Sequence, residues 1–303
     1  MRNTFINNLV KKANDKTFLI IGDLGFGIIE PFKDKYPHQF INAGVAEQNM
    51  TGMAAGLALE GFKVFTYSIG NFNTARCLEQ IRNDICYHDL DVTIVSSGAG
   101  FAYGSQGYSH HAVQDIAMLG SLPNMKLLLP GDAIEAKFVT DYIFKEKGPK
   151  YLRLGRNADK VFHNKKDKIK KINCLNPKVK SKIALVSIST MLGELFEVNE
   201  LLKQNKIKSN MFSCPIIDKA FNRDIKKTLK NFNYIFTLEE HVSDLGFGSL
   251  LKNAFECSDK KIKCFGLKKD LCKVIGDRNY LCECHEISSD KIFKNIIKIL
   301  NNK

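Results

Sequence analysis

Glu47 opens an apolar stretch in the segment AGVAEQNMTGMAAGLALEG. A carboxyl group in that place either complements the positive end of a helix or, in a dry pocket, holds a proton for a neighbouring base. Four other features carry side chains able to do chemistry. Asp23 follows a short apolar run in GDLGFG, and Phe72 and Arg76 lie four residues apart in NFNTARCLEQIRND. The loop YGSQGYSHH offers Gln106, Tyr108, His110 and His111, and YLRLGR offers Arg153 and Arg156. A guanidinium fork matches carboxylate or phosphate geometry. Cys282, Cys284 and His285 form a C-x-C-H cluster, but no second pair at zinc-site spacing accompanies it. That cluster reads as a strand with alternating small side chains.

The elements that must position these residues alternate between strand and helix. TFLIIGD (17–23), residues 39–43, FKVFTYS (62–68), DVTIVSS (91–97), 126–129 and 151–154 read as short strands. Residues 47–59, 74–87, 112–119 and 133–144 read as helices, with Gly52 and Gly56 on one face of the first. This spacing implies a mostly parallel sheet covered by helices. In such sheets ligands bind beyond the carboxyl ends of the strands, where the candidate residues fall. The pattern breaks at a lysine-rich stretch and resumes on a smaller scale. The expectation is an α/β protein of two domains, residues 1–164 and 183–303, joined by a linker over 165–182.

Composition excludes several other classes. With 303 residues, 44% of them hydrophobic, the chain can bury a sizeable core. No window approaches a membrane span, and the polar N-terminus shows no secretory signal, so a cytoplasmic protein with no membrane partner is expected. Nine cysteines in such a chain do not make a disulfide framework. The net charge of +13 is uneven: residues 1–160 carry +1 and residues 161–303 carry +12. Over 161–182, eight lysines face one aspartate, with no aromatic side chain interleaved after Phe162. That is a solvated segment rather than a base-stacking surface, so no nucleic-acid partner is expected.

FINAGVAEQNMTGMAAGLALEG, FNTARCLEQIRNDICY and SHHAVQDIAMLGSLPNMKLLLPGDAIEA together resemble the pyrimidine-binding domain of the transketolase family. Residues 183–303 are similar to that family's C-terminal domain, mainly through FTLEEHVSDLGFGSLL. The resemblance is closest to the free-standing C-terminal subunits of split transketolases and extends more distantly to 1-deoxyxylulose-5-phosphate synthase. It implies thiamine diphosphate as cofactor and transfer of a two-carbon ketol unit between sugars or sugar phosphates. By the same resemblance, Glu47 is the acid beside the aminopyrimidine N1′, Phe72 stacks on that ring with Ile69 in apolar contact, and Asp23 lies near the thiazolium. Arg76 braces the glutamate or binds an anion. His110 contacts the sugar and moves protons on it, and Arg153 binds the sugar phosphate. Where the chain departs from the family, Tyr103, Tyr108 and His111, with Gln106, are expected to form a different substrate wall.

The chain departs from the family pattern at two substrate positions. Gln106 stands where the family has an aspartate, and Gly98 where it has a histidine or arginine. The G-D-G…N segment that binds the diphosphate through Mg²⁺ or Ca²⁺ is missing, because Gly22-Asp23-Leu24-Gly25 lacks the second glycine in place. The resemblance therefore implies half an enzyme, with no metal ligands of its own. A second polypeptide, an N-terminal transketolase-like subunit, would share the cofactor and hold the metal, in an α2β2 assembly built on a homodimeric core. A β subunit of a 2-oxoacid dehydrogenase and a non-catalytic partner subunit are the alternatives.

Overall fold

The computed structural model describes residues 1–155, 160–164, 167–270 and 272–301. Its strands are β1 (Thr17–Ile21), β2 (Phe40–Asn42), β3 (Lys63–Ile69), β4 (Val92–Ser97), β5 (Lys126–Leu128), β6 (Lys150–Leu154), β7 (Asn173–Cys174), β8 (Ile183–Ser187), β9 (Asn210–Ser213), β10 (Ile216–Ile217), β11 (Tyr234–Val242) and β12 (Lys261–Leu267). One sheet has the order β10-β5-β6-β4-β3-β1-β2 and the other β12-β11-β8-β9-β7. Pairing is parallel except where β10 meets β5 and β7 meets β9. Helices flank both sheets, as the strand–helix alternation implies. β4 is buried at every position, as a central parallel strand covered on both faces must be.

Several elements depart from the sequence reading. An opening helix, Arg2–Lys12, buries Phe5, Ile6 and Leu9 despite its low overall hydrophobicity. The helix expected over 74–87 is broken into a 3₁₀ turn at Ala75–Cys77, a short α-turn at Leu78–Gln80 and a π-helical segment at Ile81–Cys86. Such irregular helices are frequent next to functional sites. Asn173–Cys174, inside the expected linker, pairs with β9 at the edge of the second sheet. Ile216–Ile217 crosses back to pair with β5, so a strand from the second half completes the first sheet. The C-x-C-H cluster ends a helix, Arg278–Cys284, and is not a strand. Cys282 is buried, Cys284 is exposed, and His285 Nε2 lies 3.1 Å from the Cys272 thiol. Among the described residues, no three His, Cys, Asp or Glu side chains converge as a metal site.

One buried cluster ties the segment after β6 to the first sheet's helices. Asp132 Oδ1 accepts the N–H of Glu135 and caps the helix Ala133–Lys145. Its Oδ2 accepts the N–H groups of Phe162 and His163 and lies 3.0 Å from His163 Nδ1. Burial opposes a charge on His163, but the hydrogen bond with Asp132 and the charges of Glu135 and Asp132 outweigh it, so the imidazole pKa is raised. Burial likewise pushes Asp132 up, and its hydrogen bonds bring it below the usual carboxylate range. A raised histidine stabilises the fold fully below its unfolded pKa and loses that contribution as pH rises through the folded one. The stability deficit of His163→Gln, read from denaturant midpoints, is therefore expected to be larger at about pH 6 than at about pH 9. An equal deficit at both would show that the imidazolium contributes nothing.

Candidate active site

Parallel pairing in the order β6-β4-β3-β1-β2 brings the carboxyl ends of five strands to the same side of the first sheet. Ile21 lies beside Tyr67 and Asn42, and Ile69 beside Ser97. Glu47 begins the helix Glu47–Leu59 above these ends, and its side chain is 1% exposed. Its Oε1 accepts the Ser68 hydroxyl at 3.2 Å. Its Oε2 accepts Arg76 Nη1 at 2.6 Å, with the arginine side chain 45% exposed. A carboxylate taken out of water needs such partners, because its desolvation is otherwise uncompensated. Gly22, at the end of β1, makes room for it: a Cβ there would lie 3.3 Å from Ser68 Oγ and 3.4 Å from Glu47 Cγ.

Arg76 links the carboxylate to an aromatic group. Its guanidinium carbon lies 4.5 Å from the Phe72 ring centroid, within cation–π range. The arginine is fixed from the other side, where Gln48 Nε2 donates to its carbonyl at 3.1 Å. Phe72 sits half-buried in the helical turn Gly70–Asn73, which follows Ile69 at the end of β3. The imidazole of His110 meets the Phe72 ring edge-on, with centroids 5.0 Å apart. Asn71 closes this contact by donating to the carbonyls of Ser109 and His111. Glu47, Arg76, Phe72 and His110 thus form one contiguous chain of contacts. Burial, with His111 adding to it, holds the His110 pKa below the usual histidine value. That shift favours the neutral imidazole, the form able to accept a proton.

The remaining expected residues divide into two groups. Asp23 is exposed at the end of β1, in a left-handed conformation (φ 54°), and accepts Asn42 Nδ2 at 2.9 Å. Gln106 and Tyr108 are exposed on the loop that carries His110, and Gln114 donates to the Tyr108 hydroxyl. His111 and Arg153 lie elsewhere than the expected substrate wall. His111 is fully buried, edge-on to Phe101 at 5.2 Å, with Nε2 3.0 Å from the Gly104 carbonyl. Arg153 sits within β6 opposite Ser96, short of the strand's end, and is 1% exposed. Its Nε donates to Asp115 at 2.7 Å, and its Nη2 to the carbonyls of Ala112 and Glu240. Burial raises the Asp115 pKa and the Arg153 charge outweighs it, leaving the carboxyl below the usual range. With these partners Arg153 works as a structural cation between the two halves of the chain. Arg156 lies outside the described residues.

Gly98 also acquires a physical reason. It follows β4 at φ 92°, and a Cβ there would fall 2.2 Å from the Tyr103 ring. The tyrosine therefore covers the position where the family carries a longer polar side chain, and its ring lies 6.3 Å from that of His110. Ser68, Asn71 and Gly22 escaped the sequence reading. The one signal for Ser68 is a hydroxyl near the carboxyl end of a buried strand.

Residues 6–159 match the transketolase pyrimidine binding domain, and residues 171–271 match the transketolase C-terminal domain. The chain belongs to the transketolase family. A protein of Methanocaldococcus jannaschii that carries the name of a transketolase C-terminal section is 32% identical over 271 residues, covering 88% of this chain and 84% of the relative. One subunit of the apulose-4-phosphate transketolase of Actinobacillus succinogenes is 27% identical, covering 93% of this chain and 92% of that one. Among solved structures, a split-gene transketolase described as an inactive β4 tetramer superposes with a TM-score of 0.85 at 26% identity, over 99% of this chain and 97% of its own. 1-Deoxy-D-xylulose-5-phosphate synthases are more distant, at 25% identity for that of Clostridium tetani. Among the described residues, no helix is long and apolar enough to cross a membrane.

The Glu47–Arg76 pair makes a stability prediction. Arg76→Ala strands a buried carboxylate on the Ser68 hydroxyl alone and is expected to destabilise the chain by about 1–3 kcal/mol. Adding Glu47→Gln should recover much of that loss, because a neutral amide needs no cation. Additive losses in denaturant unfolding would show that the pair is not coupled.

Proposed function

We propose that this chain is the pyrimidine-side catalytic subunit of a two-chain, thiamine diphosphate-dependent transketolase-like enzyme. It would transfer a two-carbon ketol unit between sugars or sugar phosphates. The observation that carries this reading is the chain of contacts from the buried Glu47 carboxyl group through Arg76 and the half-buried Phe72 ring to the His110 imidazole, at the carboxyl ends of a parallel sheet.

The donor set suits an aminopyrimidine. A carboxyl group in a dry pocket can share a proton with a ring nitrogen, and an exposed aromatic face offers a stacking platform. When bound, thiamine diphosphate supplies a stabilised carbanion that the protein alone cannot make. In this reading Glu47 holds the proton at the ring nitrogen and Arg76 fixes the carboxylate's orientation. Phe72 and Ile69 seat the ring, and Asp23 lies toward the cationic end. His110 carries protons to and from the sugar, and Gln106 and Tyr108 contact its hydroxyl groups.

The rest of the cofactor site is assigned to a partner. This chain matches the pyrimidine and C-terminal domains, and Gly22–Gly25 lacks the diphosphate motif. An N-terminal transketolase-like subunit is proposed to hold the diphosphate with Mg²⁺ or Ca²⁺, in an α2β2 assembly around a homodimeric core. The Actinobacillus succinogenes relative is itself one subunit of its transketolase, and the superposed structure is that of a split-gene transketolase. Both support a two-chain enzyme.

Two experiments test this reading. In the complex purified with its native partner, Glu47→Gln is expected to lower turnover by at least about 10²-fold with the fold intact by circular dichroism. Turnover near wild type would remove the carboxylate from the mechanism. The isolated chain is expected to bind thiamine diphosphate only weakly in calorimetry, and tight stoichiometric binding without a partner would contradict the shared site.

A further inference from the structure

The motif LEEH in β11 is not used by the chemistry above, yet it is buried and densely bonded. Three consecutive residues there point to different duties. β11 changes its register against β12 between Leu238 and Val242, so the stretch that holds them is irregular. Glu239 turns into its own domain, where it accepts the N–H groups of Phe247 and Gly248 at the start of the helix Phe247–Ala254. Glu240 and His241 turn toward the first domain. His241 Nε2 accepts the N–H of Ala117 at 3.2 Å. Glu240, 1% exposed, reaches the loop that carries His110.

The Glu240 carboxylate is a hub of four elements. Its Oε1 accepts the N–H of Phe101 at 2.6 Å, and its Oε2 accepts the Thr190 hydroxyl at 2.7 Å and Arg278 Nε at 2.8 Å. Arg278 in turn donates Nη1 to Glu194 at 2.6 Å. Gly100 has no room for a side chain, since a Cβ there would lie 2.4 Å from Glu240 Cδ. Gly104 likewise meets the Gly276 carbonyl and Leu281, each 2.5 Å from its would-be Cβ. Phe101 lies stacked on His285 of the second domain at 5.3 Å and edge-on to His111 at 5.2 Å. The underside of the loop 98–111 is thus held by the C-terminal domain, while Gln106 and Tyr108 remain exposed and His110 faces Phe72.

We infer that Glu240 is a positioning residue through which the C-terminal domain sets the loop that carries His110. The charge matters as well as the shape. A carboxylate can accept from a backbone N–H, a hydroxyl and a guanidinium together, and hydrogen bonds to an ionised acceptor are the strong ones. An amide in its place keeps one acceptor oxygen where there were two, so an NH2 donor then faces either the Phe101 N–H or the Thr190 and Arg278 donors, and the surviving bonds lose the strength of an ionised acceptor.

The inference rests on the proposed role of His110, so its test separates the two. In the complex with the native partner, Glu240→Gln and Gly100→Ala are compared with wild type by amide hydrogen exchange and by steady-state kinetics. Both variants are expected to speed exchange across 98–111 while leaving the helix Glu47–Leu59 protected. Turnover is expected to fall by about 10- to 100-fold, as for a displaced reacting group, with thiamine diphosphate affinity unchanged. Unchanged exchange in the loop would overturn the clamp, as would a rise spread evenly over the chain. Faster loop exchange with wild-type turnover would overturn the link to catalysis. Failure of the broader functional reading would show separately, as a wild-type complex without thiamine-dependent turnover. If Glu240→Gln does not fold, Thr190→Val, which removes one donor to the same carboxylate, decides between the same outcomes.

Discussion

A carboxylate removed from water organises the first domain. Glu47 is held by one hydroxyl and one guanidinium, and each of those is placed by a different element. Ser68 comes from β3, and Arg76 from the irregular helical stretch that follows it. The close approach of β1 at Gly22 leaves space for the acid. An ion pair with one partner buried and the other half-exposed is worth little as net stability, but stranding the buried carboxylate is costly. That asymmetry makes the pair a geometric constraint. Arg76 cannot leave Glu47 without cost, and so it stays over Phe72, which in turn meets His110.

Hydrogen bonds between buried charged side chains and backbone groups also join the two domains. Arg153 and Asp115 form a buried pair, and Arg153 reaches across to the Glu240 carbonyl. Glu240 reaches back to Phe101. β10 adds a strand from the second half of the chain to the first sheet. Sheet pairing, a hydrogen bond from the buried Arg153 and a carboxylate hub all cross the same seam. The C-terminal domain is therefore built into the support of the loop that carries His110, through packed and bonded groups.

The loop itself shows how a family site is altered without losing its frame. Gly98 and Tyr103 act as a unit, because the ring occupies the space above the glycine. An aromatic surface thus stands where the family carries a charged or polar contact, next to an amide at Gln106. Glu47 and Phe72 lie outside these exchanges, on a helix and a helical turn separate from the loop.

The strand–helix alternation, the parallel sheet and the chemical residues at strand ends were all legible in the sequence. They depend on local apolar runs and on motifs whose spacing is read along the chain. Glu47, Phe72, Arg76 and His110 are brought together as those motifs imply. Tertiary structure alone decided the fates of Arg153 and His111. A guanidinium binds a phosphate or a buried carboxylate equally well by chemistry, and its partners Asp115 and Glu240 are 38 and 87 residues away. The two-residue strands β7 and β10 carry too little pattern to be seen and exist because a sheet edge was open to them. The sequence by itself determined which groups could do chemistry. Folding decided which of them gather at the strand ends and which are buried against one another, because that choice depends on partners distant along the chain.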